Sequence, residues 1–152
     1  DRSEGSCRQL FSRAKRHMAQ NRPRFSMDPA SHEQLVAHFT AAVGNGDLTG
    51  LMALLAEEVT FWADGGGRVR GASTRPILGQ AAVAQFLVNV VKFAPPGFLF
   101  ELAQVNGRSG LIIWTADKRP FTVIGLEIAN GLIQQIHAIA NPDKLKHIAP
   151  SA

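Results

Sequence analysis

The sequence predicts an α+β fold in which helices cover one face of a curved antiparallel sheet. Between residues 31 and 93, apolar side chains recur every three or four positions, which is the period of helices that pack on one side. From residue 98 onward, four strand-like runs follow one another and are separated only by short turns. Helices grouped before consecutive hairpins are typical of the α+β class, in which helices and sheet are segregated.

Three helices are predicted in the first part of this region. The first has Ser31 as a candidate cap, carries Val43 on its apolar face and ends at GNGD. The second, DLTGLMALLAEE, has Asp47 as its expected N-cap, and a strand, VTFW, follows it. The third extends from Gln80 to Phe93 and is ended by APPG.

An antiparallel meander is predicted for the second part. Its strands are Phe98–Val105, Gly110–Thr115, Pro120–Ala129 and Leu132–Ala140. The connections NGRSG, ADKR and NG carry turn residues, and Asn-Gly is the strongest short hairpin signal. Counting across the Asn130–Gly131 turn places Glu127 opposite Gln134. Pro142 would end the last strand, and Asp143 would cap a helical turn over KLKHI.

The charge is divided unevenly along the 152 residues. Residues 1–26, called here the basic head, contain seven basic and two acidic side chains, whereas residues 27–152 contain nine basic and ten acidic ones. The net charge of +4 therefore comes from the head, and this asymmetry predicts two parts with different partners. A single Cys7 and the lack of an apolar run of ~20 residues favour a cytoplasmic protein without a membrane partner. Because the chain begins at Asp1 rather than Met, we expect a processed product or a piece of a longer protein.

The basic head is predicted to form one helix over SEGSCRQLFSRAKRHM. Its apolar stripe is too small to fold alone and consists of Cys7, Leu10, Phe11, Ala14 and Met18. Arginines beside short polar side chains suit a helix that contacts the phosphates and base edges of DNA. The candidate DNA-binding residues are Arg2, Ser3, Ser6, Arg8, Gln9 and Arg13. A solvated basic helix without a nucleic-acid partner is the alternative.

The stretch TFWADGGGRVRG contains three consecutive glycines between Asp64 and Arg68. A phosphate-binding P-loop requires GxxxxGK[ST] leading into a helix, and neither that motif nor GxGxxG is present. A turn with positive φ is the simple interpretation. Three glycines exceed what a turn requires, and ordering them is entropically costly, so a loop that docks on another surface is favoured.

The order helix, helix, strand, helix and meander resembles the cone-shaped fold of the nuclear-transport-factor-2-like superfamily, which includes ketosteroid isomerase and the SnoaL-like cyclases. The resemblance implies a cone with an apolar pocket that would accept a small apolar ligand. The candidate pocket residues are Trp62, Phe86, Phe100, Trp114, Phe121, Glu127 and His137. For each aromatic side chain, ordinary packing in the core is the alternative.

Catalysis in such a pocket would require an acid and a base whose pKa values are set by burial. The candidates are Asp64, Glu127 and His137, and no paired carboxylates, metal-ligand spacing or Ser/His/Asp arrangement accompanies them. The sequence therefore favours a protein that is not an enzyme and that needs no metal or cofactor. A stand-alone isomerase or cyclase and a ligand-binding sensor are the alternatives.

Two short motifs carry a more specific resemblance. DGGGR at Asp64–Arg68 and NPDKL at Asn141–Leu145 are similar to the motif pair of extracytoplasmic-function sigma factors with a fused SnoaL-like C-terminal domain. In that family the glycines are usually followed by Lys, where this chain has Arg68. The head, SCRQLFSRAKRHM, resembles the end of the recognition helix of sigma region 4, and RPRF resembles the linker after it.

This resemblance implies the C-terminal part of an alternative RNA polymerase sigma factor. Residues 1–20 would be the end of region 4, residues 21–30 a linker, and residues 31–152 a SnoaL-like domain that regulates sigma activity in cis. The implied partners are promoter DNA, core RNA polymerase and the sigma regions of the parent protein, and an exposed sheet face would permit a homodimer. The implied regulatory contact residues are Asp64, Gly65, Gly66, Gly67, Arg68, Asn141, Pro142, Asp143, Lys144 and Leu145.

Overall fold

The computed structural model describes residues 29–67, 74–105 and 107–149. The basic head with its DNA-binding candidates, most of the predicted linker, and Arg68 lie outside the described residues. The helices are α1 (Pro29–Asn45), α2 (Leu48–Leu54), α3 (Gln80–Val90), which continues into a 3-10 turn (Val91–Phe93), and α4 (Pro142–Leu145). The strands are β1 (Leu55–Asp64), β2 (Ile77–Leu78), β3 (Leu99–Val105), β4 (Arg108–Trp114), β5 (Pro120–Ala129) and β6 (Leu132–Ile139).

The strands form one six-stranded sheet in the order β2-β1-β6-β5-β4-β3. Strands β3 to β6 are the predicted antiparallel meander, whereas β1 runs parallel to β6 and so places the first long strand beside the last. Asn130 and Gly131 have φ values of 54° and 74°, as a two-residue hairpin turn requires. The predicted α+β class, with three helices against a curved sheet, is confirmed.

The core lies between the sheet and helices α1, α2 and α3. We call the sheet face toward these helices the inner face and the opposite face the outer face. The largest fully buried side chains are Val36, Phe39, Leu51, Leu55, Val59, Val83, Leu111, Ile133 and Ile136. Among the described residues, no helix has the length and apolar character needed to cross a membrane.

The boundary between α2 and β1 differs from the sequence prediction. Helix was expected through Glu58, but α2 ends at Leu54 and β1 begins at Leu55. Leu55 is buried and pairs with Ile133 of β6, so pairing and burial override the helix propensity of LLAEE. The expected cap of α2 is confirmed, because Asp47 accepts a hydrogen bond from the Gly50 N–H at 2.9 Å.

Two further details correct the sequence prediction. Helix α1 begins at Pro29, two residues before the expected cap at Ser31, which is consistent with the preference for proline in the first turn. A bulge between Glu127 and Ile128 shifts the pairing of β5 with β6, so Glu127 lies opposite Gln135 and not Gln134.

Candidate functional site

The two sequence motifs meet at one end of the sheet. β1 ends at Asp64, which is paired with Ile139 at the end of β6, so the glycine loop and the NPDKL segment leave the sheet side by side. The backbone N–H of Ala140 donates to the Asp64 carbonyl at 2.8 Å and joins the two segments. The parallel pairing thus brings together residues that are 80 positions apart in the sequence.

The Asp64 carboxylate is the centre of the contacts between the motifs. It accepts hydrogen bonds from the Gly66 N–H at 3.0 Å, from the Asn141 side chain and from the Lys144 ammonium, with which it also forms an ion pair. The Asn141 Oδ1 accepts from the Asp143 N–H at 3.1 Å, so Asn141, and not Asp143 as predicted, is the N-cap of α4. We call Asp64, Gly66, Asn141 and Lys144 the clasp.

The clasp is electrostatically favourable but weak. Burial raises the pKa of Asp64. Hydrogen bonds from Lys144, Gly66 and Asn141, together with the charge of Lys144, lower this pKa by more than burial raises it. The pKa of Asp64 therefore lies below its usual value. The side chains of Lys144 and Asp64 are 52% and 37% exposed. Ion pairs with this exposure contribute ~0–1 kcal/mol to stability. The clasp therefore orients the two segments more than it stabilises the fold.

Asp64→Asn is expected to reduce the loss of stability in acid. Because the folded-state pKa of Asp64 is lowered, its contribution is present above the unfolded pKa of about 3.9 and is lost as the pH falls through the folded value. The wild type should lose more unfolding free energy than the variant between about pH 6 and about pH 3, by less than ~1 kcal/mol. Urea unfolding at both pH values measures the difference, and an equal loss in the two proteins would contradict this pKa direction.

Gly66 allows the glycine loop to approach Asn141. Its φ is +62°, and a Cβ at this position would lie 2.7 Å from Cγ of Asn141. The neighbouring Gly67 also has a positive φ of +71°, but a Cβ there would meet nothing within 4 Å. The backbone conformation favours glycine at both positions, but only at Gly66 does the close approach to Asn141 also leave no room for a side chain.

Gly66→Ala is expected to open the clasp, and Gly67→Ala is its matched control. Both variants place an alanine at positive φ, which costs ~1–2 kcal/mol. Only the Gly66 variant also displaces Asn141 from its two hydrogen bonds, so we expect it to lower the unfolding free energy by about 1 kcal/mol more than the control. Urea titration of both variants measures this difference. Equal losses would mean that the Asn141 contact adds nothing to stability.

Leu145 anchors the NPDKL segment. It is only 4% exposed although its neighbours in α4 are exposed, and α4 contacts β5. Trp114 and Val123 are also buried, at 5% and 8% exposure, and like Leu145 they lie outside the main core cluster. Val123 alternates with the core residue Ile124 and therefore faces the outer side of the sheet. Leu145 is thus buried beside the clasp, where α4 packs against β5.

A cavity of about 110 Å³ lies between the helices and the inner face of the sheet. Its aromatic lining consists of Phe39, Phe61, Phe86, Phe93, Phe98, Phe100 and Phe121. Aliphatic side chains, Thr40 and Thr122 complete the wall, and no charged side chain lines it within the described part of the chain. The cavity is therefore suited to apolar contents.

The cavity contains only some of the predicted pocket residues. Phe86, Phe100 and Phe121 line it, whereas Trp62 and Trp114 do not. Trp62 alternates with Phe61 along β1, so it lies on the outer face, where it is 44% exposed. The buried Trp114 donates through Nε1–H to the Glu101 carboxylate at 2.6 Å. Phe61 is not among the predicted pocket residues, but alternation from the buried Val59 identifies it as the inward residue.

The acid–base candidates do not meet in the cavity. His137 pairs with Trp62, lies 3.1 Å through its Nε2 from Gln135 Oε1, and has a pKa lowered by burial. Glu127 is paired with Gln135, and its Oε2 is buried without a hydrogen-bond partner among the described residues. Asp64 is engaged in the clasp. Nor do the described residues contain a group of three or more His, Cys, Asp or Glu side chains that could hold a metal ion.

This architecture defines a protein with a nuclear-transport-factor-2-like fold. An NTF-2 like protein from Burkholderia xenovorans LB400 superposes with a TM-score of 0.56 at 18% identity, covering 83% of this chain and 92% of that chain. A likeness at this identity concerns the fold alone. No protein-family model matches the chain.

The chain is homologous to extracytoplasmic function (ECF) RNA polymerase sigma factors. It is 31% identical to SigJ of Mycobacterium tuberculosis H37Rv over 93% of this chain and 48% of the relative, and 26% identical to the probable sigma factor SigI of the same strain over 92% and 45%. The crystal structure of M. tuberculosis SigJ superposes with a TM-score of 0.61 at 29% identity, covering 95% of this chain and 51% of that chain. The chain spans about half the length of the curated relatives that it matches.

Proposed function

We propose that the chain is the C-terminal part of an alternative sigma factor, in which residues 1–20 contact promoter DNA and residues 31–152 regulate the sigma regions in cis. The observation that carries this proposal is that the match to SigJ covers 93% of this chain. The part of the chain outside the match is therefore shorter than the basic head. The match therefore includes residues of the head as well as the cone. Core RNA polymerase and promoter DNA are the partners of such a protein, and its location is the cytoplasm.

The clasp supports a regulatory role for the motif pair. Gly66, Gly67, Pro142, Asp143 and Lys144 are all exposed at the same end of the sheet. Their surface is nearly neutral, because Asp64 pairs with Lys144, and Asp143 pairs with Lys146 at 3.0 Å. A partner surface would therefore recognise the shape and the backbone groups of the clasp. The buried Gly65 and Leu145 support this surface from beneath, and Arg68 completes the proposed contact set.

The test is to open the clasp in the full-length parent protein. Lys144→Met and Asp64→Asn remove the ion pair while keeping side-chain size, and the weak contribution of the pair predicts a folded cone. Run-off transcription with core RNA polymerase, on a promoter selected with the unmodified holoenzyme, should change severalfold. Lys92→Met, which removes an exposed lysine of the 3-10 turn, is the matched control and should leave transcription unchanged.

The outcome that would contradict regulation in cis is also defined. If both clasp variants are folded by circular dichroism and transcribe at the same rate as the unmodified parent, the clasp has no regulatory role. A change that Lys92→Met shares with Lys144→Met would indicate a general effect of surface charge.

We propose further that the cone is not an enzyme. This rests on the separation of Asp64, Glu127 and His137 from the cavity, where an acid or base would have to reach a bound substrate. The stand-alone isomerase is the alternative, since solved structures with this fold include a putative ketosteroid isomerase from Kribbella flavida at 14% identity. Isomerisation of a β,γ-unsaturated ketosteroid by the purified chain, lost on His137→Ala, would favour that alternative.

A further inference from the structure

We propose that the cavity binds one uncharged ligand of single-ring size and that its occupation stabilises the clasp. The coupling rests on the regulatory role proposed for the clasp, whereas ligand binding itself does not. The size of the cavity, the chemistry of its wall, and the two alanines that lie between it and the clasp support this proposal.

Size and lining define the ligand class. The cavity holds about 110 Å³, and an engineered lysozyme cavity of ~150 Å³ lined by Leu, Ile and Phe binds benzene. A single compact ring therefore matches the available space. A charged group would lose its hydration without gaining a partner, because no charged side chain lines the cavity in the described residues.

Thr122 provides one polar group in this wall. The other lining hydroxyl, that of Thr40, donates to the Val36 carbonyl at 2.8 Å, so its proton is not available to a ligand. Thr122 is 9% exposed and lines the cavity, and its hydroxyl makes no hydrogen bond to the described residues. A ring with one hydroxyl group, such as phenol, is therefore expected to bind more tightly than toluene, since it can pair with Thr122.

Ala63 and Ala140 connect the cavity to the clasp. Both line the cavity, and each directly precedes a clasp residue, Asp64 in one segment and Asn141 in the other. The Ala140 N–H also donates to the Asp64 carbonyl at 2.8 Å. A ligand that contacts both alanines favours the paired arrangement of the two strand ends over a separated one. By linkage, it must then stabilise the closed clasp.

The cavity edge at the end of α3 offers a position for a blocking variant. Val90 and Ala94 line the cavity there, and Phe93 is 51% exposed beside them. Val90 is half-buried, so Val90→Phe adds volume into the cavity from a helix surface and not from the centre of the core. Phe100→Leu is the second variant, because it enlarges the cavity from the sheet side.

The experiment uses the 152-residue chain with phenol, toluene and benzoate as probes. Saturation-transfer NMR should detect phenol and toluene and give no signal for benzoate, with phenol bound severalfold more tightly. Thr122→Val should remove the preference for phenol while retaining toluene. At saturating phenol, hydrogen exchange of the Ala140 amide should slow severalfold. Val90→Phe should abolish phenol binding and leave Ala140 exchange unaffected by phenol.

Each negative outcome has one meaning. If neither phenol nor toluene binds, the cavity is not a ligand site. If phenol binds but Ala140 exchange does not change, the coupling to the clasp is refuted. If Val90→Phe is unfolded, Phe100→Leu tests whether phenol binds in this cavity. The enlarged cavity of that variant should admit p-cresol, which is larger than phenol, and failure to bind p-cresol would place the phenol site elsewhere. The binding experiment contains no polymerase or DNA, so a failure to bind phenol does not contradict regulation in cis. Conversely, unchanged transcription in the clasp variants does not contradict phenol binding.

Discussion

Removal of residues 1–26 is expected to abolish salt-sensitive DNA binding by the chain. The head carries seven basic and two acidic side chains, whereas residues 27–152 have one acidic side chain more than they have basic ones. Binding to phosphates releases counterions in proportion to the number of phosphates neutralised, so the logarithm of the full-chain affinity should fall with the logarithm of salt concentration with a slope of roughly −3 to −5. At about 100 mM salt the 27–152 fragment should bind at least ~100-fold more weakly.

Fluorescence anisotropy with labelled duplex DNA measures both quantities. Substituting Arg8 and Arg13 by Gln in the full chain should make the slope less negative by ~1 for each phosphate that is no longer neutralised. Arg119→Gln is the matched control in the cone, because Arg119 is 82% exposed and pairs with the nearby Asp117. Salt-sensitive binding by the 27–152 fragment, or an equal effect of Arg119→Gln, would place DNA binding outside the basic head.

Leu145→Ala is expected to lower the unfolding free energy by about 2–4 kcal/mol. Leu145 is 4% exposed, and its truncation removes buried apolar surface where α4 packs against β5. The ion pair of the clasp is too exposed to compensate for that change. Urea unfolding followed by tryptophan fluorescence measures the effect, and His147→Ala, at an exposed position two residues later, is the control.

A decrease below about 0.5 kcal/mol for Leu145→Ala, or a decrease equal to that of His147→Ala, would contradict this anchoring role. The anchor also affects how a truncation is interpreted. Deleting residues 141–152 from a parent protein would remove the clasp and Leu145 together, so a change in transcription would combine the absence of the clasp surface with a weaker fold. Point substitutions at Asp64 and Lys144 separate the two effects.

Local signals in the sequence were sufficient for most of the fold. The meander followed from turn residues and alternation, and β5 has its predicted bounds at Pro120–Ala129. Features that depend on which strands pair with each other were not predictable. LLAEE has a helical composition, and only the parallel pairing with β6 makes Leu55 the start of a strand. The bulge after Glu127 likewise depends on how the two strands pack and not on the turn between them.

The candidate site was predictable in part. The resemblance to sigma factors identified both motifs, but their spacing in the sequence does not indicate that Asp64 and Lys144 form an ion pair. Alternation along β1 would have placed Trp62 on the outer face, since its neighbour Phe61 is inward. The separation of His137 and Glu127 from the cavity required the sheet order, which no local pattern contains.

The parallel pairing of β1 with β6 has a consequence for the order in which the chain folds during synthesis. β6 is inserted between β1 and β5, so both of these strands present unpaired edges until the ribosome has made the segment through Ile139. Contacts between such distant segments form late, because a long loop must close first. A nascent protein would therefore expose any preceding sigma regions to RNA polymerase before the surface proposed to restrain them exists.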